Sequence, residues 1–405
     1  MSEVFLYKED FDNIENAIRN KLDTEEYYEL EDMASAIDSI VVGSGSDFIN
    51  TLTGEITQLD VDFKNIGSGS FYNCKSLTTV NLPEAINIED YAFYGCSSLE
   101  SVNLPKVTNI GAESFRYCTS LTSIDFLNAT TIDSGSFLGC TSLITVNLPE
   151  VTRIEHGVFE DCENMISINI PKATFIANWA FMDCYKLASL DLPEVTDMEY
   201  TAIYCCTSLI SINLPKLTEA NTSEMISYCN KLTTVNLPNL VTINKSLFYN
   251  CDKITSLDLP SLTHLNSGIG ASKLTSINLP EAVYIGKSVF YWNTELTTVN
   301  LPKVTIIDDN AFYYCSKISS ITLPSITSIG KNAFYQCSSL TSVTLPGPIV
   351  CELGYNAFYY TKIDGLGGRY TPTGYIYVPA ELVDTYKAAT NWSYYANRIV
   401  AIPNN

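Results

Sequence analysis

The chain has 405 residues, of which 23 are Lys or Arg and 45 are Asp or Glu, and its formal charge is −22. Nucleic acids and anionic membrane surfaces are bound through clustered cations, so this acidic composition argues against both as partners. No stretch approaches the ~20 apolar residues that cross a bilayer, which argues against membrane insertion. Neutral or basic partners are favoured, namely glycans, proteins, or cations that act as bridging ions.

Residues 1–42 are predicted to form a helical N-terminal segment, because two stretches keep the spacing of an amphipathic helix. A Gly/Ser linker follows at 43–47. The start of the chain carries acids where a signal peptide needs Lys or Arg, and it lacks an apolar core. If Met1 is the native start, export through the usual signal is not expected. The apolar positions of the two helices are Phe11, Ile14, Ile18, Leu22, Leu30, Met33, Ala34, Ile37 and Ile40.

Residues 48–346 repeat a unit of about 22 residues, which is visible in the spacing of the cysteines. Ala271 and Asn293 replace cysteine in two copies. A fixed period of this length is typical of a solenoid, in which each turn buries its apolar face against its neighbours. The repeated cysteines are Cys74, Cys96, Cys118, Cys140, Cys162, Cys184, Cys206, Cys229, Cys251, Cys315 and Cys337.

A single repeat shows how the turn is built. In residues 99–121, Leu99, Val102 and Leu104 alternate with polar residues, which predicts a strand, and Pro105 ends that strand because it has no N–H to donate. A second apolar pair, Val107 and Ile110, predicts a second short strand. Three further apolar residues are predicted to pack inward from a 3₁₀ or helical turn: Phe115, Cys118 and Leu121.

The motif F-x-x-C-x-x-L-x-x-[VI]-x-[LI]-P-x-[VAIL]-x-x-I resembles the leucine-rich repeats of BspA-like bacterial surface proteins, over about three quarters of the chain. The resemblance implies a right-handed repeat solenoid with parallel β-strands, about 13 repeats, and a role in adhesion or recognition. Residues 347–405 resemble the closing segment of such proteins. Tyr386, Trp392 and Ile399 are predicted to cover the last turn, as a terminal cap must.

The N-terminal segment carries a second resemblance, to segments of prophage tail-associated proteins of Gram-positive bacteria. It rests on Ala17-Ile18-Arg19 with Lys21, then Met33-Ala34 and Ile37. This resemblance implies docking into a phage-like particle that is assembled in the cytoplasm. The alternative is that the helices simply cap the solenoid or self-associate.

Catalytic and metal-binding motifs are missing from the sequence. His156 and His264 lie several repeats apart, and the chain has no nucleophile elbow, zinc-protease motif or P-loop. We therefore predict no enzymatic activity, no cofactor and no metal site. The repeated cysteines are predicted to be buried free thiols, with disulfides between turns as the alternative.

Two outward positions of the first strand hardly vary. One is always Ser or Thr, from Thr79 to Ser342, and the next is Asn or Asp as far as Asn300. This uniformity favours hydrogen-bonded ladders between turns, and a ligand groove is the alternative. Charges after the repeat proline alternate in sign, as in Glu150 and Lys172, which predicts stabilising pairs between turns.

Tyrosine often follows the repeat phenylalanine, where partial exposure is expected. Such rings are enriched at protein interfaces, and their faces also suit sugars. We predict that an aromatic stripe binds the ligand, and coverage of the turn edges is the alternative. The stripe consists of Tyr291, Trp292, Tyr313, Tyr314, Tyr335, Tyr359 and Tyr360.

The spacing is irregular at 220–227 and 264–272, where steps of 23 and 20 residues predict a kink or a projecting loop. Taken together, the sequence predicts non-enzymatic adhesion to a host or bacterial surface protein or glycan. The alternative is a prophage tail or virion component that contacts the host surface. The expected location is the cell surface or the medium if an export signal was removed, and otherwise a phage-like particle.

Overall fold

The computed structural model describes residues 58–60, 64–271, 273–369 and 371–403. The helices predicted within 1–42, and the phage-like resemblance they carry, lie outside the described residues. Within the described part, successive turns pair through short parallel strands, so the predicted repeat solenoid is confirmed. Contacts divide the chain into two compact units. The first unit runs to Glu194 and also includes Ala202–Leu209, and the second unit consists of Val195–Thr201 and the residues from Ile210 onward.

Each turn has a major strand, usually of three residues, and a minor strand of two residues. The part of the turn that follows the minor strand is called the third side, and in a few turns it also forms a short strand, the third-side strand. In the first unit the major strands are Gln58–Asp60, Thr79–Asn81, Ser101–Asn103, Ser123–Asp125, Thr145–Asn147, Ser167–Asn169 and Ser189–Asp191. The minor strands are Asn65–Ile66, Asn87–Ile88, Asn109–Ile110, Thr131–Ile132, Arg153–Ile154 and Phe175–Ile176. The third-side strands are Phe181–Met182 and Ile203–Tyr204.

The second unit repeats this plan. Its major strands are Ser211–Asn213, Thr234–Asn236, Ser256–Asp258, Ser276–Asn278, Thr298–Asn300, Ser320–Thr322, Ser342–Thr344, Tyr375–Val378 and Ile399–Ala401. Its minor strands are Asp197–Met198, Glu219–Ala220, Thr242–Ile243, His264–Leu265, Tyr284–Ile285, Ile306–Ile307, Ser328–Ile329 and Glu352–Leu353, and its third-side strands are Ile226–Ser227 and Phe248–Tyr249. Short helices span Gly365–Gly368, Ala380–Leu382, Val383–Ala388 and Trp392–Arg398.

The third side of the turn is built from 3₁₀-type turns, as predicted, and these do not extend into a regular helix in the described repeats. Isolated i→i+3 bonds form there, as from Tyr94 N to Tyr91 O (3.1 Å), but no helix develops. The reason lies in the backbone, because residues such as Tyr91 and Tyr117 have φ near +60° and so stand in the left-handed region. A right-handed helix cannot pass through them, and the segment remains a series of turns.

A column of stacked phenylalanines fills the core behind this third side. In the second unit the rings of Phe290, Phe312 and Phe334 lie 5.0 and 5.1 Å apart and are nearly parallel. The repeated cysteines lie beside the column, and each buried thiol tends to donate to a phenylalanine carbonyl of the preceding turn, as from Cys118 Sγ to Phe93 O (3.2 Å). The predicted free thiols are confirmed.

Burial predicts how these thiols react. Desolvation raises the pKa of Cys140 to about 12 and raises the pKa of Cys118 and Cys337 as well, so little thiolate forms at neutral pH. Of the thirteen cysteines only Cys205 is partly exposed. A disulfide reagent at pH 8 is therefore expected to titrate at most one thiol in the native protein and all of them in urea. Rapid titration of several native thiols would contradict this packing.

The predicted ladder is present at the Asn/Asp position of the major strand. Asn147 Nδ2 donates to Asp125 Oδ1 (2.7 Å), and Asn169 Nδ2 donates to Asn147 Oδ1 (2.8 Å). The same bonds join Asn278 to Asp258 (2.7 Å) and Asn300 to Asn278 (2.6 Å). In each pair the amide donates towards the preceding turn. These side chains therefore satisfy one another, which favours the structural interpretation over a ligand groove.

The predicted charge pairs after the repeat proline also form. Lys106 contacts Glu84 (2.6 Å), Lys172 contacts Glu150 (2.5 Å), and Lys303 contacts Glu281 (2.6 Å), all at the surface. Exposed pairs contribute only ~0–1 kcal/mol each. Their main effect is on register, because a shift by one turn would place like charges together.

The C-terminal residues close the second unit. Trp392 is fully buried, and its Nε1 donates to Cys351 O (2.8 Å), while Tyr386 Oη donates to Ile349 O (3.1 Å). Ile399 is also buried, in a strand that extends the major sheet beyond Tyr375–Val378. All three residues that the sequence assigned to the cap thus lie against the end of the repeat array. The repeat pairing itself continues past residue 346 into Glu352–Leu353.

Candidate functional site

The aromatic stripe forms two parallel columns on the third side of the second unit. In the first column Tyr291 stacks on Tyr313 with centroids 5.0 Å apart, Tyr313 stacks on Tyr335 at 4.7 Å, and Tyr359 continues it with a tilted ring at 5.8 Å. In the second column Trp292 stacks on Tyr314 at 4.5 Å. The structure therefore brings the sequence-predicted residues together. Their partial exposure is also confirmed.

The residues of the second column have a left-handed backbone conformation. Trp292, Tyr314 and Tyr360 have φ of 62°, 63° and 59°, in the region that favours glycine. Glycine does occupy the equivalent place in other turns, as Gly95 and Gly139 show. A bulky residue in this conformation costs ~1–2 kcal/mol relative to the right-handed region. Other non-glycine residues take the same conformation at this repeat position, as Asn73, Tyr117 and Gln336 do, so the backbone conformation belongs to the repeat. What distinguishes the stripe is the stacking of its large rings.

The stripe is closed at its C-terminal end. Arg369 places its guanidinium carbon 5.5 Å from the centroid of the Tyr360 ring, and Gly367 packs so closely that an added Cβ would lie 3.0 Å from that ring. Asp364 holds this corner by accepting from Tyr360 N (2.9 Å). The opposite end differs, since Tyr291 and Trp292 are 47% and 53% exposed. The accessible ring surface is thus concentrated at the N-terminal end of the stripe.

Burial and neighbouring phenols act on two tyrosines of the stripe. Partial burial, followed by the neighbouring phenols, raises the pKa of Tyr313 and Tyr335 above the ordinary value. Their hydroxyl groups consequently remain hydrogen-bond donors throughout the physiological range. Nearby, Glu295 forms an ion pair with Lys317 (2.5 Å), and this pairing lowers the pKa of the carboxyl group. The site offers flat apolar faces bordered by hydroxyls and paired charges.

The comparison with protein families can now be set beside this architecture. The model of the BspA-type leucine-rich repeat region matches residues 46–166, 152–269 and 270–367. The chain belongs to the BspA-type leucine-rich repeat family.

Two solved structures illustrate what this chain is similar to. A leucine-rich repeat protein from Bacteroides ovatus is 25% identical, with 86% of this chain and 85% of that chain covered and a TM-score of 0.51. A leucine-rich cell surface protein from Faecalibacterium prausnitzii is 24% identical, over 73% of this chain and 87% of that chain, with a TM-score of 0.39. No curated protein matches.

A second aromatic group of this BspA-type chain was not selected from the sequence as a binding site. Tyr72 stacks on Tyr94 (4.7 Å) in the first unit, and the Arg116 guanidinium lies over the Tyr117 ring, 4.8 Å from its centroid. Tyr72 and Tyr94 occupy the same repeat position as Tyr291. That shared position was the available signal, but the group is shorter than the stripe.

The irregular BspA-type repeat projects no loop over its described residues, 264–271, so that part of the prediction is wrong, while the alternative of a kink stays a prediction. Its minor strand His264–Leu265 keeps register with both neighbours, Thr242–Ile243 and Tyr284–Ile285. The turn is shortened on its third side. In a regular turn the phenylalanine N–H donates to the residue just before the next phenylalanine, as Phe290 N does to Ala311 O (2.8 Å). In the short turn Phe248 N donates to Ile269 O (3.0 Å), so Ile269 is the equivalent of Ala311. By this pairing Gly270 stands where other turns carry phenylalanine.

Two residues are therefore missing between Gly270 and Ala271, at the places that Tyr291 and Trp292 occupy in the next turn. Gly270 has φ of +81°, and an added Cβ would lie 1.6 Å from Phe248 O, so only glycine fits there. We call the resulting gap, between the turn of Tyr249 and the turn of Tyr291, the notch. The other irregular step, of 23 residues before Cys229, also leaves the strand pairing intact. Its minor strand Glu219–Ala220 pairs in register with Thr242–Ile243 of the next turn.

Proposed function

We propose that this protein is a non-enzymatic recognition protein that adheres to a cell-surface protein or glycan through the aromatic stripe. The observation that carries the proposal is the pair of stacked columns, in which Tyr291 and Trp292 at the open end are 47% and 53% exposed. Tyrosine and tryptophan dominate binding hot spots because they bury much area with few rotatable bonds.

The scaffold supports recognition in a second way. Stacked turns fix each ring against the next, so little side-chain entropy is lost when a partner binds. The net charge of −22 disfavours anionic partners and leaves neutral or basic surfaces as the better match. The stripe needs no ionisable catalytic group for this role, and the raised pKa of Tyr313 and Tyr335 keeps these two hydroxyl groups protonated at neutral pH.

A surface or extracellular location accords with this role, because proteins of the BspA repeat type typically occur there. No helix among the described residues has the length and apolar character to cross a bilayer. We propose that the solenoid meets the target while residues 1–42 serve attachment. Binding retained by a version lacking residues 1–42 would support this division, whereas loss of binding would place recognition on the N-terminal segment.

Removing the stripe tests the proposal directly. The triple variant Tyr291→Ala, Tyr313→Ala, Tyr335→Ala is expected to fold and to bind at least tenfold more weakly, since hot-spot rings contribute about 2 kcal/mol or more each. The measurement is a dissociation constant for intact bacterial and epithelial cells and for arrays of surface proteins and glycans, with circular dichroism to check the fold.

A matched control is available in the first unit. The double variant Tyr72→Ala, Tyr94→Ala removes a stacked pair at the same repeat position and should bind as the unmodified protein does. Equal binding by the triple variant and the unmodified protein would show that the stripe only covers the turn edges. Binding by neither, on every target, would contradict the recognition role itself.

A further inference from the structure

Three exposed lysines occupy the same repeat position in successive turns of the second unit. Each lies two residues after the cysteine position, in the corner that leads from the third side to the next major strand. Serine stands at this position in many other turns, as Ser98 and Ser120 show in the first unit. We call these three residues the lysine row, which consists of Lys231, Lys253 and Lys273.

The row is continuous because strand pairing keeps its turns adjacent and in register. Ile226–Ser227 pairs with Phe248–Tyr249, which aligns the first lysine with the second. Ser256–Asp258 pairs with Ser276–Asn278, which aligns the second lysine with the third although that step is two residues short. Neighbouring turns lie ~4.8 Å apart, so the three side chains start from points spread over roughly 10 Å.

The lysine row lacks the partners that other lysines of this chain have. Lys172, Lys303 and Lys317 each pair with a glutamate of the preceding turn, at 2.5–2.6 Å. Among the described residues no ion pair reaches any member of the row. Like charges on neighbouring turns repel, so the row opposes the stacking of its turns instead of supporting it. An arrangement that does not serve the fold favours a role in binding.

Two acidic residues occupy the repeat positions next to the row, and they do not cancel its charge. Asp252 directly precedes Lys253, which leaves an excess of positive charge over the three turns. In the turn after Lys273, the carboxylate of Glu295 is neutralised by Lys317 (2.5 Å). At physiological ionic strength, exposed charges more than ~8 Å away are largely screened. The net charge of −22 therefore leaves this place open to an anion.

We propose that the lysine row binds one chain of an anionic polysaccharide that carries a carboxylate or sulfate on each sugar residue, at a site separate from the aromatic stripe. The turn spacing of ~4.8 Å is about the length of one sugar residue in an extended chain, so successive anions meet successive ammonium groups. Lysine acts as a point charge without the planar geometry of arginine, which suits anions on a flexible chain.

The small number of charges in the row separates this partner from other polyanions. Duplex DNA carries one charge per ~1.7 Å of its axis, and proteins that bind it neutralise many phosphates, whereas the row offers three ammonium groups. An anionic membrane surface is recognised by clusters of about 4–8 basic residues. A single polysaccharide chain needs only one row of cations, and that is what the three turns provide.

Neutralising the row tests the inference. The probes are a polygalacturonate hexasaccharide for carboxylates, a heparin hexasaccharide for sulfates and neutral maltohexaose, measured by calorimetry with the full chain at low and at physiological salt. At least one anionic hexasaccharide should bind, more weakly as salt rises, and maltohexaose should not. The triple variant Lys231→Gln, Lys253→Gln, Lys273→Gln should lower the affinity at least tenfold, whereas arginine at the same three positions should preserve it.

A control with the same change in net charge comes from lysines that form ion pairs. The triple variant Lys106→Gln, Lys172→Gln, Lys303→Gln removes three partners of glutamates and should leave the affinity for the hexasaccharide unchanged. Thermal unfolding supplies a second readout. The row variant is expected to keep or gain stability because repulsion between turns is removed, while the control is expected to lose slightly because favourable pairs are lost.

Three results would overturn the inference. They are no binding of either anionic hexasaccharide, an equal loss of affinity in both triple variants, or tighter binding of a DNA duplex or of phosphatidylserine vesicles than of either hexasaccharide. The stripe variant Tyr291→Ala, Tyr313→Ala, Tyr335→Ala separates this inference from the proposed function, because it should lose cell binding and keep the hexasaccharide. If cells are held and no hexasaccharide binds, the stripe stands and the lysine row falls.

Discussion

Replacing Phe312 by alanine is expected to lower the free energy of unfolding by about 3–5 kcal/mol. The Phe312 side chain is fully buried between Phe290 and Phe334, whose ring centroids lie 5.0 and 5.1 Å away. Its removal leaves a cavity that neighbouring turns cannot close, because their spacing is fixed by the strand hydrogen bonds. Urea unfolding followed by far-ultraviolet circular dichroism would measure the loss.

The adjacent residue provides the control for this variant. Tyr313 belongs to the same turn but lies on the outer surface and is only partly buried. Tyr313→Ala should cost no more than about 1.5 kcal/mol, the scale of one stacking contact. In a repeat array a destabilised turn weakens the interfaces on both of its sides. Equal effects of the two substitutions would show that the phenylalanine column does not dominate the stability of the second unit.

Trp392→Ala in the C-terminal cap should have a comparable effect, about 3–5 kcal/mol. The indole is fully buried, meets the Tyr386 ring edge-on at 5.0 Å, and donates from Nε1 to Cys351 O (2.8 Å). Its loss removes apolar contact and also leaves a buried carbonyl without that donor. Since terminal caps keep repeat proteins soluble, aggregation on mild heating is expected as well.

Two companion variants separate these contributions. Trp392→Phe keeps most of the packing but loses the hydrogen bond, so a cost of about 1–3 kcal/mol is expected. Tyr394→Ala changes a cap residue that is 66% exposed and should be nearly neutral. The measurements are thermal unfolding and light scattering. A near-neutral result for Trp392→Ala would mean that the cap is held mainly by its strands, Tyr375–Val378 and Ile399–Ala401.

The sequence was sufficient for the fold because every turn repeats the same physical signals. Pro105 ends a strand, Leu104 and Ile110 mark inward positions, and Cys118 marks the period, so each inference is checked in the following turn. The stripe was predictable for the same reason. Once Phe312 is assigned to the core, Tyr313 must lie at the surface in register with Tyr291 and Tyr335.

The notch was not predictable in the same way. A step of 20 residues shows that two residues are missing, but the sequence does not say on which side of the turn. The strand pairing and the close approach of Gly270 to Phe248 decide it. The left-handed backbone at Trp292 was equally hidden, because a bulky ring is the last residue type that would indicate such a conformation.

The direction of the amide ladder bears on how such a chain can be lengthened. A carboxylate accepts but cannot donate, so an aspartate fits only where a run begins, as Asp125 and Asp258 do. In the sequence the position reads Asp, Asn, Asn in succession, starting at Asp60, Asp125, Asp191 and Asp258. Blocks of three turns can therefore be duplicated or deleted with every junction unchanged. A single added turn preserves the hydrogen bonding only if it carries asparagine, because an aspartate placed within a run could not donate to the preceding turn.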